Sequence, residues 1–248
     1  MPEYGGRGGI EEEISRLMAR EMSRIRQAVQ QDLLNAGMDI SKTQVYSPDY
    51  WSKLSAVIES MMRDKFEAVY LEAAEQFMDA VSYGMNPELV QASARAWANQ
   101  ASMNLVQQMN DTSRRQVIEA VDKFLTAPMN NSQLRVLLEK VFSPRRAELT
   151  AITEVTRAAA EGGERVAREL RSQGVKLVAI WQTLVDERVC PICGPRHEQK
   201  QGDGWVFLPP AHPKCRCFIN YEVLAIDGIG VKSFPVLYVG MIISIKAA

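Results

Sequence analysis

The chain has 248 residues, with Lys+Arg 29 against Asp+Glu 30 for a net charge of −1, 46% hydrophobic residues and 24% charged residues. These proportions exclude a disordered chain, which would be too polar to bury a core, and a uniformly basic nucleic-acid binder. They suit one large domain or two small ones, and aromatics at 7% beside 12 Met lean towards helix.

The opening residues, MPEYGGRGGIEEEISR, lack the basic start and apolar run of a secretory signal. No uncharged apolar run reaches the roughly 20 residues that cross a bilayer. The expectation is a protein made in a reducing cytoplasm, without a membrane partner. In that compartment four Cys point to metal or redox chemistry before structural disulfides.

In chain order, Gly5, Gly6, Gly8 and Gly9 suggest a mobile tail, followed by a helix with Ile10, Ile14, Leu17, Met18, Met22, Ile25, Val29 and Leu33 at helical spacing. Ser47-Pro48-Asp49 supplies an N-cap, a proline at the first helical position and an early acid. From Trp51 through Leu54, Ile58, Met62, Phe66, Val69 and Ala73 to Phe77 one apolar stripe runs, with Gly84 as the expected stop. Such a helix is about 50 Å long, and the length suggests packing on other chains. Asn86-Pro87-Glu88 repeats the start signal for a helix to about Asn110, and Asp111-Thr112 can cap another with Val117, Ile118, Val121, Phe124 and Leu125 as its expected buried face. Pro128 to Asn131 breaks it. Ser132–Phe142 reads as a short helix, and Ser143-Pro144 opens a long one. Gly162-Gly163 inside that helix is disfavoured by about 1 kcal/mol per glycine relative to alanine, which a kink or a close backbone approach would explain.

After Gly174 the texture changes. Val175–Leu184 is β-branched and aromatic and reads as a strand, with a second short strand at Trp205–Leu208. All four Cys and both His fall within Cys190–Cys217. The spacing C-x2-C-x18-H-x2-C, followed by Cys217, suits a tetrahedral zinc site of thiolates and imidazole. The preferred ligands are Cys190, Cys193, His212 and Cys215. Cys217 can replace His212, since residues two apart on a strand point the same way. A thioredoxin-type role for Cys190 and Cys193 would want a βαβ unit, and none is visible. His197 reads as a solvated loop residue.

Three ordered blocks resemble the phage Mu F-type minor head, or head morphogenesis, family. They are the helix Arg145-Arg146-Ala147-Glu148-Leu149-Thr150-Ala151-Ile152-Thr153-Glu154-Val155-Thr156-Arg157-Ala158, then Trp181-x-Thr183-x2-Asp186-x-Arg188-Val189-Cys190-x2-Cys193, then Pro209-Pro210-x-His212-Pro213-x-Cys215-Arg216-Cys217. The lead-in from Asn86 to Phe142 is similar more loosely. The resemblance implies a structural phage protein that acts at the portal vertex in procapsid assembly and in DNA packaging or ejection. It would be located in the virion and made in the host cytoplasm. The implied partner is the portal protein, with major capsid protein, scaffolding protein and further copies of the chain as others. Family-pattern positions around the cluster are Thr153, Glu154, Arg157, Trp181, Asp186, Arg188, Pro209 and Pro210. Asp186 and Arg188 are expected to fix the Cys turn. Glu154 and Arg157 either lie on a solvated helix face or hold the helix to the metal module.

The expected fold is mainly α: long N-terminal helices, then a small α+β zinc-binding module. The expected divisions are a tail and first helix over 1–45, a helical domain over 46–142, the Mu F-like module over 143–221 and an apolar tail over 222–248. That tail reads either as an interface strand or, from Cys217-Phe218, Asp227-Gly228 and Val239-Gly240, as a fragment resembling the start of an intein-type splicing module. The rival to a structural role is a zinc-dependent hydrolase of head maturation, with Glu154 as its best acid. Four protein ligands and no carboxylate at a diagnostic spacing weigh against it. DNA is a weaker partner, because Cys190–Cys217 sets Arg196, Lys200, Lys214 and Arg216 against only Glu198 and Asp203, a slight positive bias.

Overall fold

The computed structural model describes residues 5–37, 42–81, 85–127 and 129–226. Among the described residues, five α-helices precede a two-stranded sheet: α1 Gly5–Asn35, α2 Pro48–Val81, α3 Pro87–Thr126, α4 Asn131–Val141, α5 Pro144–Ser172, β1 Val175–Gln182 and β2 Phe218–Ile226. The fold is mainly helical with a small β region at the Cys/His cluster, as the sequence suggests. None of the helices is long and apolar enough to cross a membrane, among the described residues.

The proline start signals hold at Pro48, Pro87 and Pro144. Asn130 closes a capping box on α4: its side chain accepts from Gln133 N–H, while the Gln133 side chain accepts from Asn130 N–H. Three local readings need correction. The glycine-rich start is the first turns of α1, where an added Cβ at Gly8 or Gly9 would meet nothing within 4 Å. The stretch from Pro87 to Thr126 is one helix of 40 residues with no break at Asp111. An Asp-Thr pair offers a cap, but without Pro or Gly nothing obliges the helix to stop. Residues 205–208 form no strand. The partner of β1 is β2, paired antiparallel from Val175↔Ile226 to Gln182↔Phe218 with a bulge at Lys176/Leu177. The expected stop at Gly84 and the Pro128 break lie outside the described residues, as do residues 227–248 of the apolar tail.

The chain divides into two compact units, each assembled from separated stretches. One comprises Glu12–Asp64 and Asn99–Ala151. Within it Trp51 is buried, donates its indole N–H to Val45 O at 2.7 Å and stacks on Phe142 at 6.5 Å. Arg146 is largely buried and donates to Ser113 Oγ at 2.9 Å, Val141 O at 2.9 Å and Met109 O at 3.3 Å. Burial pushes its pKa below the usual arginine value.

The other unit comprises Met1–Glu11, Lys65–Ala98 and Ile152–Ala248, and it holds the Cys/His module. Its core joins Phe77, Val90, Val166 and Leu170 to Trp181, Trp205, Ile219 and Tyr221 and to Cys193, Cys215 and Cys217. Tyr221 is 1% exposed; its ring stacks on Phe77 at 4.9 Å and its hydroxyl donates to Glu164 Oε2 at 2.8 Å. Gly162 marks a close backbone approach: an added Cβ would lie 2.2 Å from Tyr70 O. The apolar stripe of α2 is buried at Trp51, Ile58 and Met62 in the first unit and at Phe66, Val69, Ala73 and Phe77 in the second, with Leu54 half-buried.

Candidate metal centre

The sheet creates the frame. Gln182 pairs with Phe218, so the loop from 183 to 217 leaves and returns at one end of the β1–β2 pair. Every Cys and His of the chain lies in that loop. Its middle folds back along the other edge of β1: Trp181 N–H donates to Gln199 O at 3.0 Å, Glu198 N–H to Trp181 O at 2.8 Å and Gln201 N–H to Ala179 O at 2.9 Å. Trp205 follows, packing edge-on against Trp181 at 5.4 Å and donating its indole N–H to Gln199 O at 2.8 Å. The residues read as a second strand thus contribute one buried anchor, Trp205, while Val206 and Phe207 are exposed.

Two tight turns carry the donors. In the first, Gly194 N–H donates to Cys190 O at 2.9 Å and Cys193 N–H points at Cys190 Sγ at 3.3 Å. In the second, Cys215 N–H donates to His212 O at 3.2 Å. The His212 Nδ1–H donates to Pro213 O at 2.8 Å, which leaves Nε2 as the free lone pair. That Nε2 lies 3.0 Å from Cys190 Sγ and 3.2 Å from Cys193 Sγ, and Cys193 Sγ lies 3.8 Å from Cys215 Sγ. Cys190, Cys193 and His212 form one mutually close triad and Cys193, Cys215 and Cys217 another. The structure therefore brings together all five candidates, with Cys193 common to both triads.

The donor chemistry fits zinc. Zn–S bonds of about 2.3 Å in a tetrahedron place sulfurs about 3.8 Å apart, the separation found between Cys193 and Cys215. Sulfur to imidazole nitrogen would be about 3.5 Å in the same figure, so the imidazole sits a few tenths of an ångström inside its ideal place. Hydrogen bonds from Cys193 and Cys217 hold the Cys215 thiol far down, at about 2. The bond to Cys215 pushes Cys193 well up. For Cys217 the Cys193 bond lowers the value, but the Cys215 bond and burial outweigh it and raise it to about 12. A soft divalent cation would displace the thiol protons and take the thiolates as ligands.

The surrounding family-pattern residues divide by what they touch. Both carboxylate oxygens of Asp186 accept from Arg216 Nη2 at 2.8 Å, tying the loop before Cys190 to the residue between Cys215 and Cys217. Partial burial opposes ionisation, yet the Arg216 hydrogen bond and charge leave the Asp186 carboxyl below the usual range. Arg188 donates its backbone N–H to the same carboxylate at 3.1 Å, while its side chain is largely exposed. Trp181 is fully buried beneath the Arg196 guanidinium, 5.1 Å from the ring centroid. Pro209-Pro210 is a cis pair at the entry to the second turn. Glu154 is buried and pairs with Arg157 Nε at 3.0 Å, so it does not lie on a solvated face. The link from α5 to the cluster runs instead through Thr153 and Thr156. Lys214 N–H donates to Thr153 Oγ1 at 2.8 Å and Thr156 Oγ1–H donates to Cys215 O at 2.7 Å. His197 is only part-exposed, and its Nδ1 accepts from Thr183 N–H at 3.2 Å. Arg216 and Thr156 escape a search by residue type, because neither is a metal ligand. The T-x2-T spacing on α5, which puts both hydroxyls on one helix face, is the signal that could have found Thr156.

Residues 107–220 match the family described as Phage Mu protein F like protein. The match begins within α3, later than the looser lead-in at Asn86, and contains all three motif blocks. Among curated proteins and among solved structures the chain has no match. Over residues 107–220, somewhat under half of its length, this chain is similar to the Phage Mu protein F like family.

Proposed function

We propose that this chain is a structural minor head protein of a phage. It would act at the portal vertex during procapsid assembly and DNA packaging or ejection, and its loop 183–217 would hold one Zn2+ as a folding element. The observation that carries the reading is the family match over 107–220, within which the motif residues form and brace a single Cys/His cluster. Cys190, Cys193, His212 and Cys215 would hold the ion, with Cys217 as the alternative fourth ligand. Zinc there would supply cross-linking of two turns rather than a reactive water. Catalytic zinc keeps an open position, and here five protein donors compete for four places. The partner in this reading is the portal protein.

The test is co-expression of the full chain with the portal protein of the same phage, followed by purification through a tag on the portal. Stoichiometric retention of the chain, lost with Cys193→Ser, is the expected result. A chain that never co-purifies with portal, while particles lacking it assemble and package normally, would overturn the proposal.

A further inference from the structure

We propose that Thr156, with Thr153 one turn before it on α5, is the positioning pair that sets Cys215 for metal ligation; this rests on the reading that the module holds a metal. The two hydroxyls grip consecutive residues of the second donor turn. Thr156 is 1% exposed, so no bulk water competes for the Cys215 carbonyl at 2.7 Å. Thr153 accepts the N–H of Lys214, a non-glycine residue at φ 64. The left-handed conformation brings the Cβ of an L-residue too close to the following carbonyl, so the loop adopts it there only when something holds it. A hydrogen bond on the strained residue's own N–H, from a helix-borne side chain, does that. Beyond the strained residue the chain turns back, and the Cys215 carbonyl meets Thr156. With its backbone held on both sides, Cys215 places Sγ 3.8 Å from Cys193 Sγ.

A helix is a better anchor than a loop because its side chains are fixed by packing. Here Ala151, Val155 and Ala158 are fully buried on the same helix. The family signature Thr153-Glu154-Val155-Thr156 thereby acquires a specific task. Its hydroxyls act on a ligand through the ligand's backbone, while Glu154 is engaged by Arg157.

The experiment uses the full chain, stripped of metal and reloaded with Co2+ as a spectroscopic probe, with Zn2+ affinity read by competition against a chromophoric chelator. Thr156→Val keeps the shape and removes the donor. It should weaken Zn2+ binding about 10–100-fold and diminish the thiolate-to-cobalt charge-transfer band. Thr156→Ser restores the hydroxyl and should return both readings to near wild type. Val166→Ala, a cavity in the same core, should lower unfolding stability but leave the cobalt spectrum unchanged. If far-UV circular dichroism shows that Thr156→Val does not fold, Thr153→Val decides, with the same direction expected. Wild-type affinity and spectrum in a folded Thr156→Val protein would overturn the clamp while leaving the metal reading intact. A wild-type chain that binds no cobalt would overturn the metal reading and the clamp with it.

Discussion

Gly162 and Gly163 are neighbours in sequence and opposites in surroundings, which makes them a controlled pair. Alanine in place of either gains about 1 kcal/mol of helix propensity. At Gly162 the new Cβ would lie 2.2 Å from Tyr70 O, 3.0 Å from Tyr70 C and 3.1 Å from Tyr70 Cα. All three are backbone atoms of α2, which cannot rotate away as a side-chain tip can. Reaching even 3.0 Å from the oxygen requires the two helix segments to part by about 0.8 Å. Overpacking of this kind costs about 1–3 kcal/mol or more, and the backbone contact puts Gly162→Ala at the upper end, for a net loss of about 2 kcal/mol. At Gly163 the nearest atom is Tyr221 Cε2 at 3.8 Å, an ordinary contact, so Gly163→Ala should be neutral or stabilising by up to about 1 kcal/mol. For a chain of this length each kcal/mol moves Tm by about 2–4 °C. Gly162→Ala should therefore melt about 4–8 °C below wild type, and Gly163→Ala at or slightly above it. Differential scanning calorimetry of the three proteins reads this directly. Gly162→Ala melting with or above wild type would refute the close approach, as would Gly163→Ala melting below Gly162→Ala.

Three further outcomes are expected. Chelation should lower the melting temperature of the unit holding the Cys cluster, by the equivalent of about 4 kcal/mol at a thousandfold excess of free metal over Kd. Cys193→Ser, which removes the sulfur common to both triads, should make melting insensitive to chelator; an equal chelator effect on both proteins would contradict the site. Burial pushes Tyr50 and Tyr70 up to about 12 and Tyr221 well above its usual value, in each case with desolvation as the main cause. Raised folded values mean that this part of the stability is intact below pH of about 10 and lost as pH rises above it. Absorbance titration at alkaline pH should show these three tyrosines withheld until the protein unfolds, and all 7 Tyr titrating together near 10 in the folded protein would refute it. Arg146→Ala leaves the carbonyls of Met109 and Val141 and the Ser113 hydroxyl without its guanidinium, and should cost about 2–4 kcal/mol in urea unfolding. Arg146→Lys should recover less than half of that loss, because an ammonium cannot span all three acceptors.

Helix starts were legible because their chemistry is local: Pro48, Pro87 and Pro144 each begin a helix where an N-cap residue precedes them. The Cys/His cluster was legible as spacing, since two close pairs of soft donors need little more than a turn each. Breaks were less legible. Asp111-Thr112 offers a cap that the chain does not use, because a continuous helix satisfies the same N–H groups. The partner of β1 was not legible from the apolar run at 205–208, since pairing is decided by which segment returns to the strand edge. Phe218–Ile226 does so only because the loop before it closes on itself. The T-x2-T spacing could flag Thr156 but not name its partner, and no spacing flags Arg216. Their roles exist only as contacts with Cys215 and Asp186, 59 and 30 residues away along the chain.

The stack of Tyr221 on Phe77 has a consequence for synthesis. The second half of α2 emerges from the ribosome with Phe77 and its neighbours bare, and the strand that covers them follows about 140 residues later. At elongation rates of about 5–20 residues per second, that is a delay of order ten seconds. Collapse and helix formation take microseconds, so for on the order of a million such intervals the nascent chain presents this aromatic face without the strand that covers it. That interval is long enough for a chaperone to bind, and it makes codon usage between α2 and β2 a determinant of how much chain escapes aggregation.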